Sequence, residues 1–222
     1  MLGHKLKRAG IGVEALESVA ATVRAESLPP VIAWFEAIVS AQRLAADIHA
    51  ASSRVSELVA AVKVYSHMDR AGVREPVRLQ EGIDSTLVML GHKLKRAGIG
   101  LERILAPDTP EIQAYPGELN QVWTNLLDNA IDAMPSGGTL RIEASRQGAM
   151  AVVRVIDSGT GIPPEIQPRI FEAFFTTKSV GEGTGLGLDI VQRIVVQQHG
   201  GRIDVESRPG RTAFTVRLPS NA

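Results

Sequence analysis

Cysteine is absent from the 222 residues of this chain, and its absence excludes two kinds of site. A disulfide framework and a thiolate metal site both require cysteine. Long apolar runs are missing too: none approaches the roughly 20 residues of a membrane span, and the N-terminus lacks the layout of a signal peptide. We therefore expect no membrane segment in this chain and, by default, a cytoplasmic protein; a membrane-tethered parent is the alternative if the chain is a fragment.

An excess of charge of either sign is also missing. Lysine plus arginine and aspartate plus glutamate number 24 each, so the formal net charge is zero. Because no overall charge favours a polyanion, we expect no nucleic-acid partner. The composition, 44% hydrophobic and 22% charged, is typical of a globular protein with one large domain or two modest ones.

One twelve-residue segment occurs twice: MLGHKLKRAGIG stands at residues 1–12 and again at 89–100. Identical runs of this length do not recur by chance, and a repeat protein would show further copies at a regular period. Two interpretations are open, an internal duplication and an artefact of cloning or sequence assignment. We favour the artefact and attach no chemistry to the first copy.

A long helical pattern runs from about residue 31 to 70, after a short predicted helix at 12–27 and a predicted helix-breaking turn, Ser-Leu-Pro-Pro, at 27–30. Its apolar seam, spaced three and four residues apart, is Val31, Phe35, Ile38, Ala45, Ile48, Val55, Val59 and Val62, with Ser52 as a polar member. A helix of about 40 residues is about 60 Å long. We expect it to form a homodimer with a second copy; a single helix lying on its own domain is the alternative.

The chain changes character near residue 71, where a linker predicts a boundary between a helical dimerisation region at 1–71 and a domain at 76–222. The predicted elements are strands at 77–80, 100–106, 139–145 and 150–157, helices at 82–96, 118–134 and 186–199, a loop at 107–117, and a hairpin of 202–206 with 213–218. They predict an α+β fold after the long helix: a two-layer α/β sandwich with a mixed, largely antiparallel sheet covered by helices.

The helix at 118–134, ELNQVWTNLLDNAIDAM, organises this domain. Its apolar residues predict one buried face, and four polar residues form a stripe beside it: Gln121, Asn125, Asn129 and Asp132. Amide and carboxylate oxygens are ligands that Mg²⁺ accepts together with water and nucleotide phosphates. By itself the stripe fits either a magnesium site or a solvated helix face.

Two segments follow that could contact a ligand. DSGTGIP, at 157–163, ends a strand with a carboxylate that could accept from an amine such as adenine N6, although a plain Asp-Gly turn is the alternative. FEAFFTTK, at 171–178, has aromatics suited to the base of a loop, and hydroxyls and a lysine that could reach phosphate. We interpret Phe171 and Phe174 as ordinary core residues.

A glycine-rich segment, GEGTGLGL, runs into the predicted helix at 186–199. Gly183, Gly185 and Gly187 expose backbone N–H groups near a helix N-terminus, which is an arrangement that can hold phosphate. The segment is not a P-loop, because no Gly-Lys-Ser/Thr ends it, and no β-α-β unit makes it a dinucleotide fingerprint. Alone, it is a weak signal.

The order of the four segments is specific. NLLDNAIDAM, DSGTGIP, FEAFFTTK and GTGLGL resemble the N, G1, F and G2 boxes of the ATP-binding domain of sensor histidine kinases, in the superfamily of DNA gyrase B, Hsp90 and MutL. The resemblance covers about residues 76–219 and implies protein-histidine kinase activity, ATP and Mg²⁺ as cofactors, and the receiver domain of a response regulator as partner. Ser158 and Thr160 stand where the family more often has Asn and Pro, which leaves the carboxylate and the glycines in place.

The resemblance also implies roles for single residues. Asn129 would ligate Mg²⁺ with Asn125 on its phosphate side, Asp157 would bind the adenine amine, and Lys178 would belong to a mobile ATP lid at about 176–184. Asn125, Asn129 and Lys178 would be the catalytic residues. The other residues expected at the nucleotide are Asp132, Gly159, Gly161, Ile162, Phe174, Thr177, Gly183, Thr184, Gly185, Leu186, Gly187 and Leu188.

The resemblance also implies that Asn125 would favour phosphate transfer over hydrolysis. In the ATP-hydrolysing relatives, a glutamate that activates water lies four residues before the Mg²⁺-binding asparagine. Here that position is Asn125, an amide that cannot act as a general base near neutral pH. A topoisomerase- or chaperone-type ATPase is therefore disfavoured.

A phosphoacceptor histidine, which in the family precedes an acidic residue, is not recognisable. The five histidines, none followed by Asp or Glu, are His4, His49, His67, His92 and His199. The segment at 55–68 resembles a second dimerisation helix, so we expect the first helix, with its acceptor, upstream of this chain. Two functions stay open: the phosphotransfer core of a sensor histidine kinase that is inactive without an acceptor, and a dimeric nucleotide-binding scaffold or regulator without autokinase activity.

Overall fold

The computed structural model describes residues 27–67, 73–178 and 183–220. The chain divides into two compact units, Met1–Glu57 and Leu58–Ala222. The predicted boundary between a helical region at 1–71 and a domain at 76–222 stays a prediction. The predicted helix at 12–27, apart from its last residue, and the predicted end of the long helix at 68–70 lie outside the described residues.

The long helix, α1, spans Leu28–His67, so the helical pattern predicted from about residue 31 is confirmed as far as residue 67. The turn predicted at 27–30 is wrong, because α1 begins at Leu28 and includes Pro29 and Pro30 in its first turn. The backbone N–H groups in the first turn of a helix have no acceptor within the helix. Proline, which has no N–H, therefore removes no helical hydrogen bond there. Within the described ranges, no helix is both long and apolar enough to cross a membrane.

The second unit combines helices and strands. Its helices are α2 (Leu79–Ala97), α3 (Pro116–Asp132) and α4 (Gly187–Gln192), and α4 continues as a π-helical turn at Arg193–Gln198. Its strands are β1 (Glu75–Val77), β2 (Ile99–Leu105), β3 (Ile112–Ala114), β4 (Gly138–Gln147), β5 (Met150–Asp157), β6 (Arg202–Arg208) and β7 (Arg211–Pro219).

Five of the strands form one sheet in the order β2-β4-β5-β7-β6. Only the β2–β4 pair is parallel within this sheet. The helices pack over one face around a buried core that includes Trp123. The opposite face carries ion pairs such as Arg154–Glu143, with nitrogen and oxygen 3.0 Å apart. The predicted α+β fold, with a mixed and largely antiparallel sheet covered by helices, is confirmed.

Two local predictions differ from the structure. The strand predicted at 77–80 ends at Val77, and α2 begins at Leu79 because Leu79, Ile83 and Leu87 follow each other on its buried face. The loop predicted at 107–117 contains β3, which pairs antiparallel with β1. A three-residue strand depends on a partner more than thirty residues away, so no local pattern indicates it.

Candidate functional site

The polar stripe of α3 lies beside a face buried in the core, as its spacing predicted. Asn125 and Asn129 are half-buried, and Asp132 is exposed. Asn125 Nδ2 is buried with no hydrogen-bond partner among the described residues, and its Oδ1 lies 3.2 Å from where a Cβ on Gly187 would be. The side chain of Asn129 likewise makes no hydrogen bond within the described ranges. Two amide groups are therefore free to bind another group.

Asp157, the last residue of β5, has a buried carboxylate that is 3% exposed. Burial raises the pKa of Asp157, and the backbone N–H of Gly159, which donates to Asp157 Oδ1 over 2.9 Å, acts in the opposite direction. A Cβ at Gly159 would lie 2.6 Å from the carbonyl oxygen of Ala133, so only glycine fits without displacement. The structure thus combines a strand-end carboxylate with a close approach of the Gly159 backbone to Ala133 at the end of α3.

The loop after Asp157 lies against the β6–β7 turn. Gly161 has φ +81°, and a Cβ there would lie 2.5 Å from the carbonyl oxygen of Arg208. Ile162 is half-buried, and its N–H donates to Ser207 Oγ over 2.8 Å. Gly161 is therefore required by both its left-handed backbone and its contact.

The FEAFFTTK segment is part core and part surface. Phe171 packs edge-on against Phe214, with ring centroids 6.4 Å apart, which confirms it as a core residue. The same interpretation of Phe174 is wrong, because its side chain is 70% exposed. Phe174 has φ +67°, and a Cβ on Gly185 would lie 2.4 Å from its carbonyl carbon. This backbone contact, rather than burial of the ring, holds the middle of the segment.

Lys178 joins the FEAFFTTK segment to α3, because its Nζ forms an ion pair with Asp132. The lysine amide N–H donates to Thr176 Oγ1 over 3.1 Å, and a Cβ on Gly183 would lie 2.9 Å from the same hydroxyl oxygen. Thr177 is exposed and makes no side-chain hydrogen bond among the described residues. The predicted lid is described at 176–178 and 183–184.

The glycine-rich segment leads into α4, which begins at Gly187 as predicted within one residue. Leu186 is buried, and Leu188 packs against the core. Thr184 is half-buried, with its Oγ1 3.5 Å from the backbone nitrogen of Leu186. The leucines anchor α4, and the glycines occupy the side facing Asn125 and Phe174.

The structure brings most of the predicted site residues into two groups. One group joins the α3 stripe, Gly187 and Lys178. The other surrounds Asp157, and the Thr160 N–H joins it to the end of α3 by donating to the carbonyl oxygen of Ala133 over 3.2 Å. Thr177 and Phe174 belong to neither group through their side chains.

Three polar residues beside the Asp157 group belong to none of the four motifs: Gln167, Ser207 and Thr212. Thr212 is 3% exposed, and the alternation of Thr212, Phe214 and Val216 along β7 does place it on the core face. Its position opposite Asp157, however, depends on the pairing of β5 with β7. That pairing is a tertiary property.

Known proteins similar to this chain are histidine kinases. The family described as histidine kinase-, DNA gyrase B- and HSP90-like ATPase matches residues 114–222. Sensor histidine kinase ZraS of Escherichia coli K12 is 41% identical over 183 residues, which are 82% of this chain and 37% of ZraS.

Solved structures of histidine kinases are also similar to this chain. The catalytic domain of histidine kinase ThkA is 31% identical with a TM-score of 0.61, over 67% of this chain and 98% of that chain. Full-length ShkA in complex with AMPPNP is 26% identical with a TM-score of 0.66, over 84% of this chain and 39% of that one.

The family assignment rests on both sequence and fold. The chain spans less than two-fifths of the length of ZraS but nearly the whole ThkA catalytic domain. The five-stranded mixed sheet covered by helices agrees with that domain. This chain therefore belongs to the sensor histidine kinase family, and its residues 114–222 match the ATPase domain of the superfamily that includes DNA gyrase B, Hsp90 and MutL.

Proposed function

We propose that this chain is the ATP-binding and phosphotransfer core of a two-component sensor histidine kinase. In this proposal it binds Mg²⁺·ATP between α3, α4 and the Asp157 loop, and donates the γ-phosphate to a histidine that is none of its own five. The observation that carries the proposal is the buried, unpaired Nδ2 of Asn125 beside Gly187. An unpaired buried donor lowers stability, and a bound phosphate oxygen would satisfy it.

The adenine end would be held by Asp157. Its carboxylate is buried at a strand end, and Gly159 and Gly161 keep the adjacent backbone free of side chains. A hydrogen bond from the exocyclic amine would compensate for the burial of the carboxylate. Ile162, half-buried in the following loop, would supply apolar contact to the base.

The phosphate end would be held by the α3 stripe and the residues facing it. The donor set fits Mg²⁺: the amide oxygen of Asn129 is uncommitted among the described residues, and water and phosphate oxygens would complete an oxygen shell. Bound Mg²⁺ would neutralise phosphate charge. When nucleotide binds, Lys178 would leave its ion pair with Asp132 and pair with a phosphate oxygen instead. This change of partner is feasible because a surface ion pair contributes only about 0–1 kcal/mol to stability.

Asn125 would favour transfer of the γ-phosphate to an acceptor histidine rather than to water. An amide in this position can donate a hydrogen bond to phosphate but cannot remove a proton from water. Catalysis would therefore depend on positioning and on charge neutralisation by Asn129 and Lys178. The receiver domain of a response regulator would accept the phosphate in a second step.

The long helix would form a homodimer. Trp34 and Ile48 of α1 are 65% and 68% exposed, which is unfavourable for large apolar side chains unless another surface covers them.

A dimeric module that binds nucleotide without autokinase activity is the second candidate, because none of the five histidines precedes an acidic residue.

Labelled ATP and an acceptor-helix fragment, supplied in trans, would separate the two candidates. We expect label to reach the fragment's histidine in the presence of Mg²⁺, and we expect Asn129→Ala to abolish transfer. Nucleotide binding without any transfer would overturn the kinase proposal and support the module. Absence of nucleotide binding would overturn both.

A further inference from the structure

Three polar residues lie side by side in one row of the helix-covered face of the sheet. Asp157 on β5 pairs in register with Thr212 on β7, and Thr212 pairs with Ser207 on β6. Paired residues on neighbouring strands point to the same face. On the other side of Asp157 the same row continues with Leu140, so the polar part of the row begins at the candidate adenine-binding carboxylate.

Ser207 is the member of this row that contacts the loop. Its Oγ accepts the Ile162 N–H over 2.8 Å and lies 2.8 Å from Thr212 Oγ1, so one hydroxyl links two strands and the loop. A serine hydroxyl has one proton and two acceptor positions, which suffices for both bonds. Alanine at this position would leave the Ile162 N–H without that acceptor.

Gln167 forms a second connection between the same parts. Its Nε2 lies 2.8 Å from the carbonyl oxygen of Ile162 and 3.2 Å from that of Ser207, and it can donate to both. At the other end of the loop, the Gly210 N–H donates to the carbonyl oxygen of Gly159 over 3.0 Å. The loop from Gly159 to Gln167 is thus held along its length by the β6–β7 hairpin.

We propose that Ser207 is a positioning residue for the adenine end of the nucleotide site, acting through Ile162. The inference rests on the proposed ATP-binding function. Ser207 holds the Ile162 backbone, and with it the wall of the base pocket, in the conformation that adenine needs. Because Ser207 already fixes this loop in the free protein, nucleotide binding does not have to supply the free energy of ordering it. The hydrogen bond of Ser207 therefore increases the affinity for nucleotide.

The test compares Ser207→Ala and Ser207→Thr with the full unmodified chain. The matched control is Ser145→Ala, a strand serine on the opposite sheet face with no side-chain hydrogen bond among the described residues. Affinities for ATP and ADP and the hydrogen-exchange rate of the Ile162 amide would be measured, with thermal unfolding recorded for every variant.

We expect Ser207→Ala to weaken ATP and ADP binding equally, by about fivefold, the effect of one ordinary hydrogen bond. Exchange of the Ile162 amide should accelerate, Ser207→Thr should restore both properties, and Ser145→Ala should change neither. If Ser207→Ala does not fold, Ser207→Cys replaces it with the same expected direction of change, because a thiol sulfur is a weaker acceptor for the Ile162 N–H. Unchanged affinity, or loss of affinity without faster exchange at Ile162, would overturn the inference. If the unmodified chain bound no adenine nucleotide, the parent proposal would fail and this inference with it.

Discussion

Asn125 and Gly187 lie against each other where α3 meets the start of α4. A Cβ on Gly187 would come within 3.2 Å of Asn125 Oδ1, while the Nδ2 of the same amide is buried without a partner among the described residues. The glycine leaves room beside a donor that the fold itself does not use. This pair is the part of the candidate site most directly open to mutational tests.

Asn125→Glu should raise ATP hydrolysis. A carboxylate at this position could act as a general base toward water, and general-base catalysis contributes about 10²–10⁴-fold when well positioned. Because the position was not shaped for a carboxylate, we expect an increase of about tenfold in phosphate release. Asn125→Gln, which has the same length but no basicity, is the matched control and should show no increase. Rapid hydrolysis by the unmodified chain would contradict the role assigned to Asn125.

Asp157→Asn should stabilise the protein and weaken ATP binding. Burial raises the pKa of Asp157 above its ordinary value of 3.8, partly offset by the Gly159 N–H, so the fold disfavours the ionised form. The stability associated with this shift is present below pH 3.8 and is lost as pH rises through the folded-state pKa. The side chain of the Asp157→Asn variant carries no charge, so at pH 7 it avoids this loss of stability. Its amide oxygen can still accept the Gly159 N–H.

We therefore expect a higher Tm for Asp157→Asn at pH 7, by about 2–4 °C, the shift expected for about 1 kcal/mol in a chain of this size. The difference should shrink as pH falls toward 4. ATP affinity should fall by about 10- to 100-fold, as for loss of a charge-assisted hydrogen bond. If the Tm difference between the variant and the unmodified chain grew on acidification, the direction assigned to the pKa shift of Asp157 would be wrong.

Gly185→Ala should perturb the site more than a comparable change elsewhere. Gly185 has φ +68°, and a new Cβ would lie 2.4 Å from the carbonyl carbon of Phe174. Gly148 has φ +61° with nothing within 4 Å of a new Cβ, so alanine there experiences only backbone strain of about 1–2 kcal/mol. Thermal unfolding and ATP titration would compare the two variants. Gly185→Ala should lose more stability and also ATP affinity, whereas equal effects would argue against the Phe174 contact.

His199 should make stability fall on acidification. Burial lowers the pKa of His199 from its ordinary value of 6.5, and the positive charge of Arg74 adds to this, while the Ile194 carbonyl opposes it. Its Nε2 accepts the Tyr115 N–H over 3.2 Å, which a protonated ring could not do. Because the folded-state pKa is depressed, this stability is fully present above pH 6.5 and is lost as pH falls through the folded-state pKa.

Chemical denaturation between pH 7.5 and pH 5 would measure this effect. The His199 contribution to the slope is at most about 1.4 kcal/mol per pH unit, the value for one proton. His199→Gln should lower stability at pH 7.5 and flatten the slope. His92→Gln, on an exposed position of α2, is the matched control for loss of a histidine elsewhere in the chain. A steeper decline in His199→Gln than in the unmodified chain would contradict the assignment.

Several features of this protein can be read from its sequence because they are local. Helical spacing of Leu119, Val122 and Trp123 identified the buried face of α3, and with it the direction of the amide stripe. Asp157 was recognisable as the end of a strand, and the order of the four segments indicated the family. These features depend on residues within a few positions of each other, so a single sequence carries them.

Contacts between distant groups, in contrast, depend on how the strands pair and the helices pack. The order β2-β4-β5-β7-β6 places Ser207 and Thr212 in the row of Asp157, although about fifty residues separate them from it along the chain. The exposure of Phe174 and the ion pair of Lys178 with Asp132 likewise depend on contacts between elements. Hydrophobic periodicity assigns a residue to a face but not to a neighbour, because strand pairing and helix packing are fixed only when the whole core forms.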